Sequence, residues 1–597
     1  MRFQLTCAVV LLGMMGVGAW SQGKPQGKTV PHRTMEDGRL RAIYNAEEVW
    51  RKAQRGAEDE DHPEKILAEL PQVDAATQEA QLKHWQGVLR QLDGVHAPGL
   101  SADELVNYEV FRAQIVVLAN AQKFREYERP ANSDSTFWSD EESVARQTFK
   151  GEQDYANYVS QLKDLPRYFR ENMAEIRAGL ARGFTPPKVT LMGRDASLVP
   201  MAEAKTAEST LYFKPMEKMP ATIPATEQKR LRVEAAEAIR SGVIPVYAEL
   251  LKFWRDEYVP HAQESLAAQS LPDGKAYYQS KILEFTTLEM TPDEIHAIGL
   301  SEMAKIHAEM LVAMKQSEFK GDLSAFLRFL RSDPQFYAKT PEQLLMQAAW
   351  IAKEFDGVSG QYFGYLPRQR FAIKPVAPEI APFYTSARGG PGEYLVNTYD
   401  LPSRGLYSLP ALTLHESAPG HAFQMPIAAE VIKARNLPKF RNAYISAYGE
   451  GWALYCERLG TEMGMYHTPY ETFGMLSYQA WRAARLVVDT GIHAQGWTRE
   501  QAQQYLRDNT ALSDHEIETE VDRYISWPGQ ALSYYLGEMA IEKARHKAEA
   551  ALGAKFNVRA FHDAVLELGC VPLPVLEQHI DAFIAKGGVG PYSDMEQ

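Results

Sequence analysis

A mainly α-helical protein with one small β-sheet is the fold class this sequence predicts, and three observations predict it. Helical periodicity runs through most of the 597 residues. Strand-like segments cluster in a single stretch, Tyr362–Leu366, Phe371–Val376, Phe383–Ser386 and Glu393–Thr398, between Gly and Pro punctuation. That stretch ends just before His415-Glu416-Ser417-Ala418-Pro419-Gly420-His421, a segment with the chemistry of a metal site.

Taken in order, the chain opens with an export pattern. Arg2 supplies the positive start, Leu5 to Val17 an apolar run, and Ala19-Trp20-Ser21 the small residues of a cleavage site. The run is too short to span a bilayer, and Cys7 lies too early in it to be a lipid-anchor cysteine. Residues 1–21 are therefore expected to be a cleaved signal peptide, placing the mature protein in the periplasm or outside the cell. Residues 22–33, polar and rich in Gly, Pro and Lys, read as a flexible leader. Residues 34–290 read as a helical N-terminal lobe, with helices over Ala75–Leu92, Ala102–Phe124, Glu152–Arg182 and Glu227–Asp256. Arg129–Asp140 and Gly183–Pro224 read as loops. Residues 291–597 form the second, catalytic lobe, announced by Thr291-Pro292-Asp293-Glu294, where Thr291 can cap and Pro292 fits the first turn.

Composition excludes some functions. Hydrophobic residues at 45% and charged residues at 24% are those of an ordinary soluble protein. A net charge of −13 without a basic cluster argues against nucleic acid as partner. No further hydrophobic stretch is long enough for stable membrane insertion. Cys456 and Cys570, the two cysteines of the mature chain, do not make a disulfide scaffold; they read as two lone buried thiols, with a single pairing in an oxidising compartment as the alternative. Neither repeats nor any signal of oligomeric state are legible.

The histidine segment carries the chemistry. A His-Glu dipeptide followed by a second His matches a zinc-hydrolase helix, in which imidazoles hold the metal and the glutamate activates water. Here the histidines are six apart rather than four, about 120° out of line on a regular helix. A helix is expected over Leu409–Met425, with Ser408 as cap and Pro410 in its first turn. Pro419 lacks an N–H and clashes with the carbonyl four residues back, and Gly420 adds freedom. The helix must therefore break between Ala418 and His421, which can turn both imidazoles toward one metal. A third ligand is expected from the helix Ala443–Met463: Glu450, flanked by Gly449 and Gly451, whose cost of about 1 kcal/mol each suits a close helix approach. Glu457, nearly on the same face, reads as a solvated charge or a partner behind the ligands. The other His-Glu pair, His515-Glu516, has no following histidine and reads as surface charge on a helix over Ser513–Ile525.

The segments HESAPGH and EGWALYCE resemble those of bacterial zinc-peptidase-type proteins grouped as domain-of-unknown-function family eight-eight-five. Three later stretches carry the same resemblance: Arg485 to His493, Glu520 to Tyr524, and Pro528 to Gly537. It covers most of the mature chain and is strongest from Tyr384 to Gly537. It implies a large helical metallopeptidase-like fold with a deep cleft, distantly similar to thimet-oligopeptidase-type and carboxypeptidase-type gluzincins. Carried onto these positions it implies one Zn2+ per chain on His415, His421 and Glu450, with Glu416 as general base. The two extra residues within the histidine motif depart from the gluzincin pattern.

The function expected is an exported zinc metallopeptidase acting on peptide substrates. His493 and Tyr534, with Tyr535 as a further candidate, fall in the family-like stretches and offer neutral donors for an oxyanion. Glu393–Thr398 is a candidate edge strand for an extended peptide, the Arg388-Gly-Gly-Pro-Gly run a candidate flap, and Arg482 with Arg485 a candidate receptor for a substrate carboxylate. Two alternatives remain open: a zinc hydrolase of a non-peptide amide or ester, and a non-catalytic binding protein with a structural metal. Glu416 beside His415 favours catalysis, since a structural site has no use for a base that does not ligate.

Overall fold

The computed structural model describes residues 32–57, 65–133, 135–378 and 381–592. The expected signal peptide lies outside these residues, as does the leader except for His32 and Arg33, which begin the helix His32–Lys52. The molecule is mainly α with one three-stranded sheet beside the histidine motif. No helix among the described residues is long and apolar enough to cross a membrane.

Local start and stop signals place the N-terminal helices. Asp74 accepts the Thr77 N–H at 2.9 Å to open Ala75–Asp93, Ser101 caps Ala102–Phe124, and Gly183, in the left-handed region, closes Glu152–Arg182. Helix over the expected Glu227–Asp256 begins at Ala225 and holds two π-helical turns, Ile239–Val243 and Trp254–Tyr258. Each turn comes just before a proline, Pro245 or Pro260, whose missing N–H interrupts the regular ladder. The loop expected over Arg129–Asp140 gives way at Phe137 to a short helix, because Thr136 caps it.

Two long helix pairs frame the motif. Thr291 and Glu294 form a reciprocal capping box that opens Pro292–Gln316, and this helix packs along Pro469–Gln495. Ser446–Glu462 packs along Ser533–Leu552. This second pair touches backbone to backbone: a Cβ on Gly451 would lie 2.4 Å from the Gly537 carbonyl carbon, and one on Gly537 would lie 2.0 Å from the Ala447 oxygen. The close approach expected around Glu450 is therefore real, with Ser533–Leu552 as the helix that approaches. Two apolar cores flank the pairs, one including Phe326, Phe473 and Leu486, the other Phe355, Phe423 and Phe561. Cys456 and Cys570 are buried and free.

The sheet differs from its expected form in instructive ways. Its strands are β1 (Ala372–Pro375), β2 (Ala387–Gly390) and β3 (Glu393–Val396), in the order β1-β3-β2. β1 runs parallel to β3 and β2 antiparallel to it, with Gly389 opposite Tyr394. Tyr362–Leu366 is no strand, because the helix Pro341–Tyr362 runs into it. Phe383–Ser386 precedes the strand, and Arg388-Gly-Gly, expected as a flap, is the strand itself. The Pro391-Gly392 turn, with Gly392 at φ +85°, joins it to β3. β3 is central, so the expected edge strand over Glu393–Thr398 is not one, and β1 and β2 are the edges.

Candidate metal centre

The break in the motif helix is where Pro419 and Gly420 require it. One helix ends at Glu416 and the next begins at His421. Ser417 donates N–H and hydroxyl to the Thr413 carbonyl, the Ala418–Pro419 peptide is cis, and the Gly420 N–H reaches back to the Leu414 carbonyl at 3.0 Å. Only glycine fits at 420, where a Cβ would stand 1.8 Å from the His415 oxygen. The Trp452 indole donates to the Pro419 carbonyl at 2.8 Å, tying the break to the helix that carries Glu450. Ser408 does not cap the first half; its hydroxyl bonds to the Gly405 carbonyl instead.

This break brings three ligating side chains together. His415 Nε2 and His421 Nε2 stand 3.5 and 3.3 Å from Glu450 Oε2, and the three donor atoms lie within 4.8 Å of one another. Tetrahedral nitrogen and oxygen ligands at 2.0–2.1 Å from zinc are about 3.3 Å apart, so this donor set fits such an ion and leaves a fourth position open. The imidazoles are nearly perpendicular, with centroids 4.9 Å apart.

Behind His415 stands Glu457, fully buried, its Oε1 2.8 Å from Nδ1. A carboxylate only accepts, so Nδ1 carries the proton and Nε2 faces Glu450. Glu457 is thus the partner behind a ligand, not a solvated charge. Burial alone would lower the His415 pKa, but Glu450 and Glu457 outweigh it and push it up to about 10. Burial would likewise raise Glu450, yet His421 and His415 hold it well below the carboxylate range. Each shift expresses the attraction between the imidazoles and the carboxylates that face them.

Glu416 stays out of the ligand set. It is half-buried, and its Oε2 accepts the Gly389 N–H from the open side of β2 at 2.6 Å. Strand and helix are in backbone contact here, since a Cβ on Gly389 would lie 1.7 Å from the Glu416 carbonyl oxygen. The glycine-rich sequence is strand rather than flap for this reason. β3 is fastened to the same helix through Tyr394 and Thr413 hydroxyls 3.2 Å apart.

The other expected site residues divide. Tyr534 lies beside the centre, its ring stacked at 6.4 Å from the His415 ring, its hydroxyl accepting from Arg523 at 3.3 Å. Tyr535, on the next position of the helix, donates to Glu302 instead. His493 does not join the centre. Its Nδ1 accepts the Ala268 N–H and its Nε2 donates to the Tyr524 carbonyl, so both nitrogens are spent on backbone groups. Arg482 and Arg485 are buried and cannot receive a substrate carboxylate. Arg482 stands 3.5 Å from Glu457, and Arg485 pairs with Glu520 while lying over the Tyr534 ring. One residue was missed: Tyr444 is exposed and donates to Glu450 Oε1 at 2.9 Å. Its signal was Gly449, since a Cβ there would meet the Tyr444 ring.

Comparison with known proteins relates this chain to one family and to several solved structures. The model of DUF885, described as a bacterial protein of unknown function, matches residues 53–580. The chain is similar to a candidate lipoprotein from Colwellia psychrerythraea, with TM-score 0.81 and 25% identity, over 94% of this chain and 100% of that one. It shares its fold with a candidate lipoprotein of unknown function from Shewanella oneidensis, with TM-score 0.65 and 16% identity, over 85% of this chain and 93% of that one. No curated protein gives a significant match.

Proposed function

For this chain, which belongs to the DUF885 family of bacterial proteins of unknown function, we propose a zinc-dependent peptidase that acts outside the cytoplasm. The observation that carries this reading is the spacing of His415, His421 and Glu450 around a point with one position left open, next to a glutamate that does not ligate. A zinc ion held there would polarise the scissile carbonyl and bring the pKa of a water toward about 7.

The protein's own groups account for the rest of the chemistry. Glu416 takes the proton of the attacking water and passes it to the departing amine. Release of its bond to Gly389 frees the carboxylate for that task. Glu457 orients His415 through Nδ1, and Arg482 stands beside Glu457. Tyr534, whose ring lies beside that of His415, and Tyr444, which donates to Glu450, are the candidate hydroxyl donors for an oxyanion. The Gly389 N–H lies on the open side of β2, so an extended peptide can add to that edge with its backbone passing Glu416. This edge favours a peptide over other amides. Export is supported by the lipoprotein character given to both structural neighbours and by the signal pattern at residues 1–21.

The test is to purify the mature chain, measure bound metal, and assay a mixed peptide library with the parent and Glu416→Gln. We expect one zinc per chain and chelator-sensitive cleavage that disappears in the variant while the metal stays. A well-folded protein that binds no zinc would overturn the reading. Zinc with no peptide cleaved would point to one of the alternative hydrolase or binding roles.

A further inference from the structure

A second polar site lies one turn from the metal centre. A cavity of about 70 Å³ opens beside the start of the motif helix, with Arg331, Ser386, Arg404, Ser408, Leu412 and Glu516 in its wall.

Its charges do not balance. Arg331 Nη2 donates to the Thr510 and Arg507 carbonyls, but its Nε is buried without a partner, and no carboxylate pairs with it among the described residues. Burial accordingly lowers its pKa. Arg404 donates to Ser386 at 3.2 Å and stands 3.5 Å from Glu516, with its own Nε buried and unpartnered. Glu516 is already engaged: Ser386 donates to Oε1, and the Ser513 N–H and hydroxyl donate to Oε2. Asp514 acts on Arg331 from a distance but is paired with Arg507 at 3.0 Å, and Glu516 with Arg404. Among the described residues no carboxylate therefore closes on the Arg331 guanidinium, a costly state in a half-buried wall without an anion.

The position relates this cavity to the cleavage site. Leu412 precedes Glu416 by four residues, about 6 Å along the helix. Ser386 precedes Gly389 by three residues, about 10 Å along the strand. A peptide on the open edge of β2 advances about 3.3 Å per residue. A group two or three residues from the bond at Glu416 therefore reaches the cavity.

We propose that Arg331, assisted by Arg404, binds a carboxylate of the peptide substrate two or three residues from the cleaved bond. The proposal rests on the peptidase reading above. The carboxylate is either an acidic side chain or the free C-terminus of the peptide, which share the same charge-assisted hydrogen bonding with a guanidinium.

At the second position from the bond, and again at the third, four versions of one cleavable peptide separate these sources: Glu or Gln, each as C-terminal acid or amide. We expect kcat/KM about 10- to 100-fold higher for the version carrying the right carboxylate. A Glu-over-Gln preference assigns the side chain, and an acid-over-amide preference assigns the terminus. Arg331→Met abolishes the preference, while Arg331→Lys restores part of it. Equal rates for all four peptides, or an equal loss for all four in Arg331→Met, overturn the proposal. The peptide-side comparison needs no variant, so a poorly folded Arg331→Met does not spoil it. Calorimetry of the same peptides on full-length Glu416→Gln separates the two readings. A charge preference in binding supports the subsite even if the parent cleaves nothing, and binding without preference, or none, removes it.

Discussion

His415 and His493 are both buried in helices, and both have each ring nitrogen facing a polar partner. Their environments nevertheless drive them in opposite directions. His415 faces carboxylates and is pushed up to about 10, whereas His493, desolvated between two backbone groups, is pushed down to about 4. Burial is common to both, so the neighbours decide the role. A histidine among carboxylates is drawn toward its charged form; one between an amide and a carbonyl is a neutral clamp.

That contrast can be broken at several points. The largest effect is expected at Glu416: Glu416→Gln should lower peptide hydrolysis by about 10²–10⁴-fold with zinc content unchanged by metal analysis. Retained activity would mean that the base lies elsewhere. Glu450→Ala removes the carboxylate common to both imidazoles and should weaken zinc binding by more than about 100-fold in chelator competition. Glu457→Gln keeps the shape but withdraws charge from His415, and a loss of about 10- to 100-fold in zinc affinity is expected. If affinity is untouched, the carboxylate behind His415 has no part in metal binding.

On the other side of the contrast, His493→Ala should leave zinc content intact while costing about 1–3 kcal/mol of stability, because the Ala268 N–H and the Tyr524 carbonyl lose their partner. Lost zinc in a folded variant would erase the distinction between the two histidines. The smallest effect is one of pH. With a folded pKa of about 4 and an ordinary value of 6.5, His493 takes up a proton on unfolding anywhere between the two. Its contribution is complete above pH 6.5 and fades as the pH falls toward 4. Melting temperatures of parent and His493→Gln should therefore converge over that interval. A gap that widens on acidification would contradict the neutral clamp.

Much of this was legible in the residues, wherever the cause was local. Capping at Asp74, Ser101 and Thr291 acts within one turn, and so does the clash that Pro419 imposes, so helix starts and the motif break could be placed. Glu450 stood out because two glycines flanked it. What escaped depends on pairing at a distance. Strand order turns on which segment meets the Glu416 backbone, and nothing near Arg388-Gly-Gly announces that contact. The fates of His493, Arg482 and Arg485 are set by Tyr524, Glu457 and Glu520, each on another helix or the far side of a turn. Residues expected from family-like stretches thus divide into those that face the centre and those that hold its walls.

The Gly451–Gly537 contact has a consequence for anyone who reshapes this protein. Gly451 adjoins Glu450, and Gly537 comes one turn after Tyr534, so the two crossing backbones fix how far the Glu450 carboxylate stands from the phenol. That separation works as a ruler cut into the main chain rather than into side chains. A library that varies the residues lining the substrate path can roam widely without changing it. A single methyl at either glycine moves both marks at once, and no second substitution in the path can restore them.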